Sequence, residues 1–139
     1  MMSFGTAVKT CFKKYVTFSG RATRAEYWWF QAFLVLAYVA IFLFGVLVSM
    51  SSGVVGAGEN AYEAQGTHWS FWIMLGLINF SLITFLPALS VTIRRLHDAG
   101  HSGWCLLYNL IPYVGSLIIF IFTLQGSEEN NLYGEKPIE

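Results

Sequence analysis

Two arginines, two histidines and an aspartate fall within eight residues of this chain, Arg94-Arg95-Leu96-His97-Asp98-Ala99-Gly100-His101. Guanidinium forks match carboxylates and phosphate oxygens. Imidazoles beside a carboxylate can hold a metal or move a proton. A second charged set, Arg21, Arg24 and Glu26, stands far earlier in the chain. Three roles compete for these residues. They can anchor helix ends and tie segments together. They can form a site for lipid headgroups or a membrane partner, made of Arg21, Arg24, Glu26, Arg94, Arg95, His97, Asp98 and His101. Or His97, Asp98 and His101 can serve a metal or a reaction at the interface. The last role is the least natural for the spacing. Adjacent residues on a helix point about 100° apart, and no established zinc spacing is present. The expectation is therefore no metal, no cofactor and no catalytic residue.

Three apolar runs must position these groups: 28–50, 69–93 and 104–124. Roughly 20 apolar residues in a helix cross a bilayer core, and none of the runs carries an ionisable residue inside it. Hydrophobic residues make up 55% of the 139 residues and charged residues only 12%, against about 25% charged in soluble domains. The chain reads as all-α, a single membrane domain over 1–139 with three transmembrane helices, leaving little sequence for a soluble catalytic domain. Residues 1–22 form an N-terminal amphipathic segment and 125–139 a polar tail. Phe4, Val8, Cys11, Phe12 and Tyr15 recur at helical spacing, with Lys9, Lys13 and Lys14 on other faces. This helix can lie on an anionic membrane surface or fold against the spans.

Local signals fill in the joints. Ser19-Gly20 marks a break. Thr23 to Glu26 fits a capping box, in which Thr23 caps the helix and Glu26 reaches back to the amide of Thr23. Gly100 suits a helix C-cap, Arg94 and Asp98 can pair at i,i+4, and Ser102 can cap the third helix. Ser51 to His68 reads as a mobile Gly-rich loop. Cys11 and Cys105 suggest neither a disulfide framework nor a metal motif. The opening segment is too long for a signal peptide.

Seven of the eight basic residues precede the first run or sit between the second and third. The positive-inside rule then puts the N-terminus and the Arg94–Gly103 loop in the cytoplasm, and the tail outside if three helices span. A break within Leu110-Ile111-Pro112-Tyr113-Val114-Gly115 instead makes the third run a re-entrant hairpin and returns the tail to the cytoplasm.

The stretch from Phe18 through Gly20, Arg21, Arg24 and Glu26 to Phe30, the stretch from Arg94 to Trp104, and Asn131-Leu132-Tyr133-Gly134 with Pro137 succeed one another in an order that resembles the bacterial DUF805 family of small inner-membrane proteins. Ser127-Glu128-Glu129-Asn130 departs from the family's Gly/Pro-containing stretch. The resemblance implies an inner-membrane protein with no settled activity and supplies no catalytic residues. The chain thus reads as a non-enzymatic multi-pass membrane protein. Its cytoplasmic-face motifs organise the fold and contact anionic headgroups, a second copy or a membrane-protein partner; nucleic acid is not expected. A small transporter or channel subunit and a lipid-modifying interfacial enzyme are the alternatives. Against the first, the spans lack the buried ionisable residues of ion pathways.

Overall fold

The computed structural model describes residues 2–51, 62–129 and 131–135. Among them the chain is helical, with α1 (Phe4–Lys13), α2 (Arg24–Ser51), α3 (Tyr62–Asp98), a 3-10 helix (Gly103–Leu110) and α4 (Val114–Leu124). The helices cluster as two compact units, Met1–Ala32 with Phe85–Glu139, and Phe33–Thr84.

Two helices are long and apolar enough to cross a membrane, over Arg24–Val48 with 25 residues and Ser70–Asp98 with 29. At 1.5 Å per residue either length exceeds a hydrocarbon core of about 30 Å. Their apolar residues are exposed all round: Phe42, Leu43 and Phe44 are consecutive, so they cover different faces, yet each is more than half exposed. A helix apolar on every side needs an apolar surround. Both helices extend beyond the apolar runs. The expected loop from Ser51 to His68 is shortened, because residues 62–68 are helical; residues 52–61 lie outside the described residues.

In the Phe33–Thr84 unit, α2 and α3 meet through an edge-to-face contact of Tyr38 on Phe80 and a 2.9 Å hydrogen bond between Tyr38 and Ser81. Gly45 permits the close approach there, since a Cβ would fall 2.4 Å from Ile73 Cδ1.

The other unit carries the correction to the three-span expectation. The run 104–124 is not one helix. Pro112 disfavours helical geometry at Ile111, which is extended. Tyr113 then takes φ 64° and ψ −53°, and the Val114 amide donates to Pro112 O at 2.7 Å. This is a γ-turn of the rare positive-φ kind. The chain doubles back so tightly that a Cβ on Gly115 would lie 1.6 Å from the carbonyl oxygen of Tyr108. The two ends of the run meet again, where His101 Nε2 and Gln125 Oε1 are 2.8 Å apart. α4, with 11 residues, is about 16 Å long, half a bilayer core.

α1 is folded against its unit. Ser3 caps it, Ala7 and Cys11 are fully buried one turn apart, and Lys9 and Lys13 face out. Ser90 of α3 donates its hydroxyl to the carbonyls of Lys14 and Thr17, at 3.0 and 2.7 Å, fixing the exit of α1. Phe4 on Trp29 and Phe12 on Phe30 add edge-to-face contacts.

Candidate functional site

Three local devices bring the charged sets together. Thr23 Oγ1 accepts the amide of Glu26 at 3.1 Å, which starts α2 one residue after the cap. At the other end of the site, Gly100 adopts φ +76°, its amide donates to His97 O, and the His101 amide donates to Leu96 O. Those paired bonds are a Schellman motif, which ends α3 just after Asp98. Gly20, at φ +86°, turns the chain so that Arg21 and Ala22 return to α3, and the Ala22 amide donates to Arg94 O at 3.1 Å.

The charges then pair across the elements. Arg94 donates to Glu26 at 2.7 Å. Arg21 Nε donates to Asp98 Oδ1 at 2.9 Å, while the other carboxylate oxygen of Asp98 accepts from Arg95 and from the Ser127 hydroxyl. Arg21, Glu26, Arg94, Arg95 and Asp98 are all buried. The i,i+4 pairing of Arg94 with Asp98 does not form. Neighbours on a helix diverge by about 100°, so Arg94 turns toward α2 and Arg95 toward α4 and Asp98. The capping box forms by half: Thr23 caps, and the Glu26 carboxylate accepts from Arg94 and, at 3.8 Å, from the Cys11 thiol.

Three guanidiniums against two carboxylates leave an excess positive charge, and backbone carbonyls absorb it. Arg21 donates to the carbonyls of Glu128, Glu129 and Gly134 in the tail. Arg95 donates to those of Thr123 and Gln125, at the carbonyl-rich end of α4 where a cation is favoured. Arg94 keeps Nε and Nη2 buried without a hydrogen-bond partner. Burial, reinforced by the negative charge of Glu26, pushes the Cys11 thiol up to about 12.

The remaining expected site residues lie at the edge. His97 places Nδ1 3.3 Å from Gly20 O and stacks on Tyr133 with ring centres 3.9 Å apart. His101 stacks on Phe122. Arg24 faces out on the first turn of α2. The two imidazoles thus point to different neighbours. Among the described residues, no three His, Cys, Asp or Glu side chains gather as a metal site.

The tail is the part of the site that sequence reasoning missed. The Glu128 amide donates to Asp98 O at 3.0 Å, and Asn131 Nδ2 donates to His97 O at 2.8 Å. Asn131-Leu132-Tyr133-Gly134 stands out in the sequence only through the family resemblance, without a conformation. Its docking is not legible there, because the acceptors are carbonyls, which every residue carries.

A family model described as a protein of unknown function, DUF805, matches residues 15–135, a span holding every paired charge described above. The chain belongs to the DUF805 family. It is 37% identical over 128 residues to the inner membrane protein YhaI of Escherichia coli strain K12, covering 90% of this chain and 89% of the relative. It is 36% identical over 126 residues to the inner membrane protein YhaH of the same strain, covering 90% of each. No solved structure matches. Family membership and the two long, outward-apolar helices make this a membrane protein, and the DUF805 match attaches no activity to the charged cluster.

Proposed function

We propose that this DUF805 chain is a non-enzymatic multi-pass protein of the bacterial inner membrane, with two spans, a re-entrant hairpin and a cytoplasmic N-terminus. Its charges divide by burial rather than by type. Arg21, Glu26, Arg94, Arg95 and Asp98 organise the fold. Lys9, Lys13 and Arg24 remain outward and contact anionic headgroups. The observation that carries this reading is the near-complete burial of the five paired charges. Removing water from such groups is costly unless each finds a partner, so their carboxylates and guanidiniums are committed to one another and to carbonyls. A lipid phosphate would have to displace those partners. Lys9, Lys13 and Arg24 are exposed, so a headgroup can reach them without entering the buried network. α1 touches Trp29 through Phe4, and Arg24 precedes Trp28 by one helical turn on α2; tryptophan suits headgroup depth.

The test is a thermal melt of the purified protein in nanodiscs with and without phosphatidylglycerol. The expected result is a higher melting temperature with the anionic lipid, reduced by salt and lost when Lys9, Lys13 and Arg24 are all changed to Gln. A lipid effect that survives the triple change and disappears with Arg95→Gln would return the headgroup site to the buried cluster and sink this division.

A further inference from the structure

An apolar groove of about 590 Å3 runs between the last turns of α3 and the 3-10 helix, within one compact unit. Its volume is in the range of ligand pockets, roughly 300–1,000 Å3. Ile93 and Leu107 line its walls, and Trp104, 79% exposed, lies at the rim. His97 and Tyr133 contribute the polar edge.

The chemistry at that edge is fixed by the backbone. Gly20 O is a carbonyl and can only accept, so the 3.3 Å contact puts the proton of the neutral imidazole on Nδ1 of His97. Nε2 is then an acceptor. Gly103 keeps the space beside it open: a Cβ there would lie 3.4 Å from Nε2 and 3.0 Å from Ile93 Cγ2. Tyr133 lies flat on the ring, with an interplanar angle of 5°. The tail holding Tyr133 is itself tied to the carbonyl of His97 by Asn131. The nearby guanidiniums of Arg21 and Arg95 are engaged by Asp98 and by carbonyls, which leaves a neutral acceptor, not a cation, to select the head of a ligand.

We infer that this groove takes the acyl chain of a membrane lipid whose head donates a hydrogen bond to His97 Nε2. A primary ammonium or a hydroxyl meets that requirement. The inference needs only that the protein sits in a membrane, and it stands apart from the headgroup contacts of Lys9, Lys13 and Arg24.

The full chain is reconstituted in nanodiscs with trace photoactivatable lipids of identical acyl chains. Phosphatidylethanolamine carries an ammonium donor and phosphatidylglycerol carries hydroxyls. Phosphatidylcholine has no donor, and phosphatidylmethanol is anionic with no donor. Crosslinked peptides are mapped by mass spectrometry. One added hydrogen bond predicts labelling of residues 103–108 about fivefold stronger with a donor lipid than with either donor-free lipid. Preference for phosphatidylethanolamine alone assigns the ammonium, and for phosphatidylglycerol alone the hydroxyl. His97→Phe keeps a ring for Tyr133 to stack on and should remove the preference while leaving the weaker labelling. Leu107→Trp should block labelling by all four. Equal labelling by the four lipids in the unaltered protein overturns the site. So does labelling by phosphatidylmethanol and phosphatidylglycerol that is equal and stronger than by phosphatidylethanolamine and phosphatidylcholine, which would mean that charge, not hydrogen bonding, selects the lipid. Neither comparison requires a variant to fold.

Discussion

Asp98 accepts from two guanidiniums and a hydroxyl at essentially zero exposure. Removing its carboxylate leaves two buried cations without their charge partner, so Asp98→Ala should cost about 3–5 kcal/mol. Glu128 contributes only backbone groups to the same network and its side chain is exposed, so Glu128→Ala should stay within about 0.5 kcal/mol. Unfolding in mixed micelles checks both; equal costs would show that the cluster is surface charge. The Arg94–Glu26 pair predicts the opposite behaviour for a joint change. Arg94 already strands two nitrogens, so replacing both residues by Leu should be neutral or stabilising, whereas either single change destabilises. The thiol of Cys11 adds a pH signature. It stays neutral in the folded protein to about 12, while its ordinary value is 9.0. Above pH 9 the unfolded chain therefore loses a proton that the folded chain keeps, and this site favours unfolding as pH rises. Maleimide labelling of Cys11 at pH 8 should accordingly require unfolding, while the half-buried Cys105 reacts first. Opposite charges at the ends of two spans let the sequence pair Glu26 with Arg94 or Arg95 and Asp98 with Arg21 or Arg24, and the structure selects Arg94 and Arg21. The partner of Asp98 on its own helix was misread as Arg94, since i,i+3 and i,i+4 neighbours are equally plausible by spacing. Only the tertiary environment decides that Arg95 serves both Asp98 and the end of α4.

For α2 and α3, length and composition were enough, because a helix surrounded by lipid needs no particular pattern beyond being apolar. The same indifference left the third run open between a single span and a broken hairpin. Apolar composition over 104–124 is compatible with one helix or with two half-length pieces, and only the Pro112–Gly115 stretch speaks for the second. Gly115 gives the most direct test of the hairpin. Its missing side chain leaves room for the Tyr108 carbonyl, a backbone atom that cannot rotate away. Gly115→Ala should cost about 3 kcal/mol as an overpacking change, while Gly126→Ala, with nothing within 4 Å of the added carbon, should be near neutral. Melting curves of the two variants compare them directly, and equal stability would be incompatible with the hairpin. The placement of α1 was open in the sequence, since a basic helix with an apolar face suits a membrane surface or a protein surface equally. Ser90 settles its packing by holding the carbonyls of Lys14 and Thr17. Ser90→Ala should loosen α1 by about 1–2 kcal/mol, visible as faster amide exchange confined to residues 4–17.

Topology belongs to the whole chain, and the charge count alone admits two answers. Three spans would separate the tail from the N-terminal segment by a bilayer. Yet Arg21, just before α2, donates to the carbonyls of Glu128, Glu129 and Gly134, and such bonds need both segments on one side. A doubled-back third run satisfies that requirement, and it keeps the basic residues of 1–27 and 94–103 on the side that the positive-inside rule assigns to the cytoplasm. Compartment-sensitive reporters should therefore give cytoplasmic signals from both termini and a periplasmic signal from a fusion at Gly58. The tail fusion discriminates, because the other two signals are the same for two spans or three. A complementary measurement needs no fusion to the tail: a cysteine placed at Glu129 in a Cys11→Ala, Cys105→Ala background should be shielded from an impermeant maleimide in intact spheroplasts and react after permeabilisation. Periplasmic reaction at that position would break the link between Arg21 and the tail, and with it the role of the charged cluster as a fold-organising core.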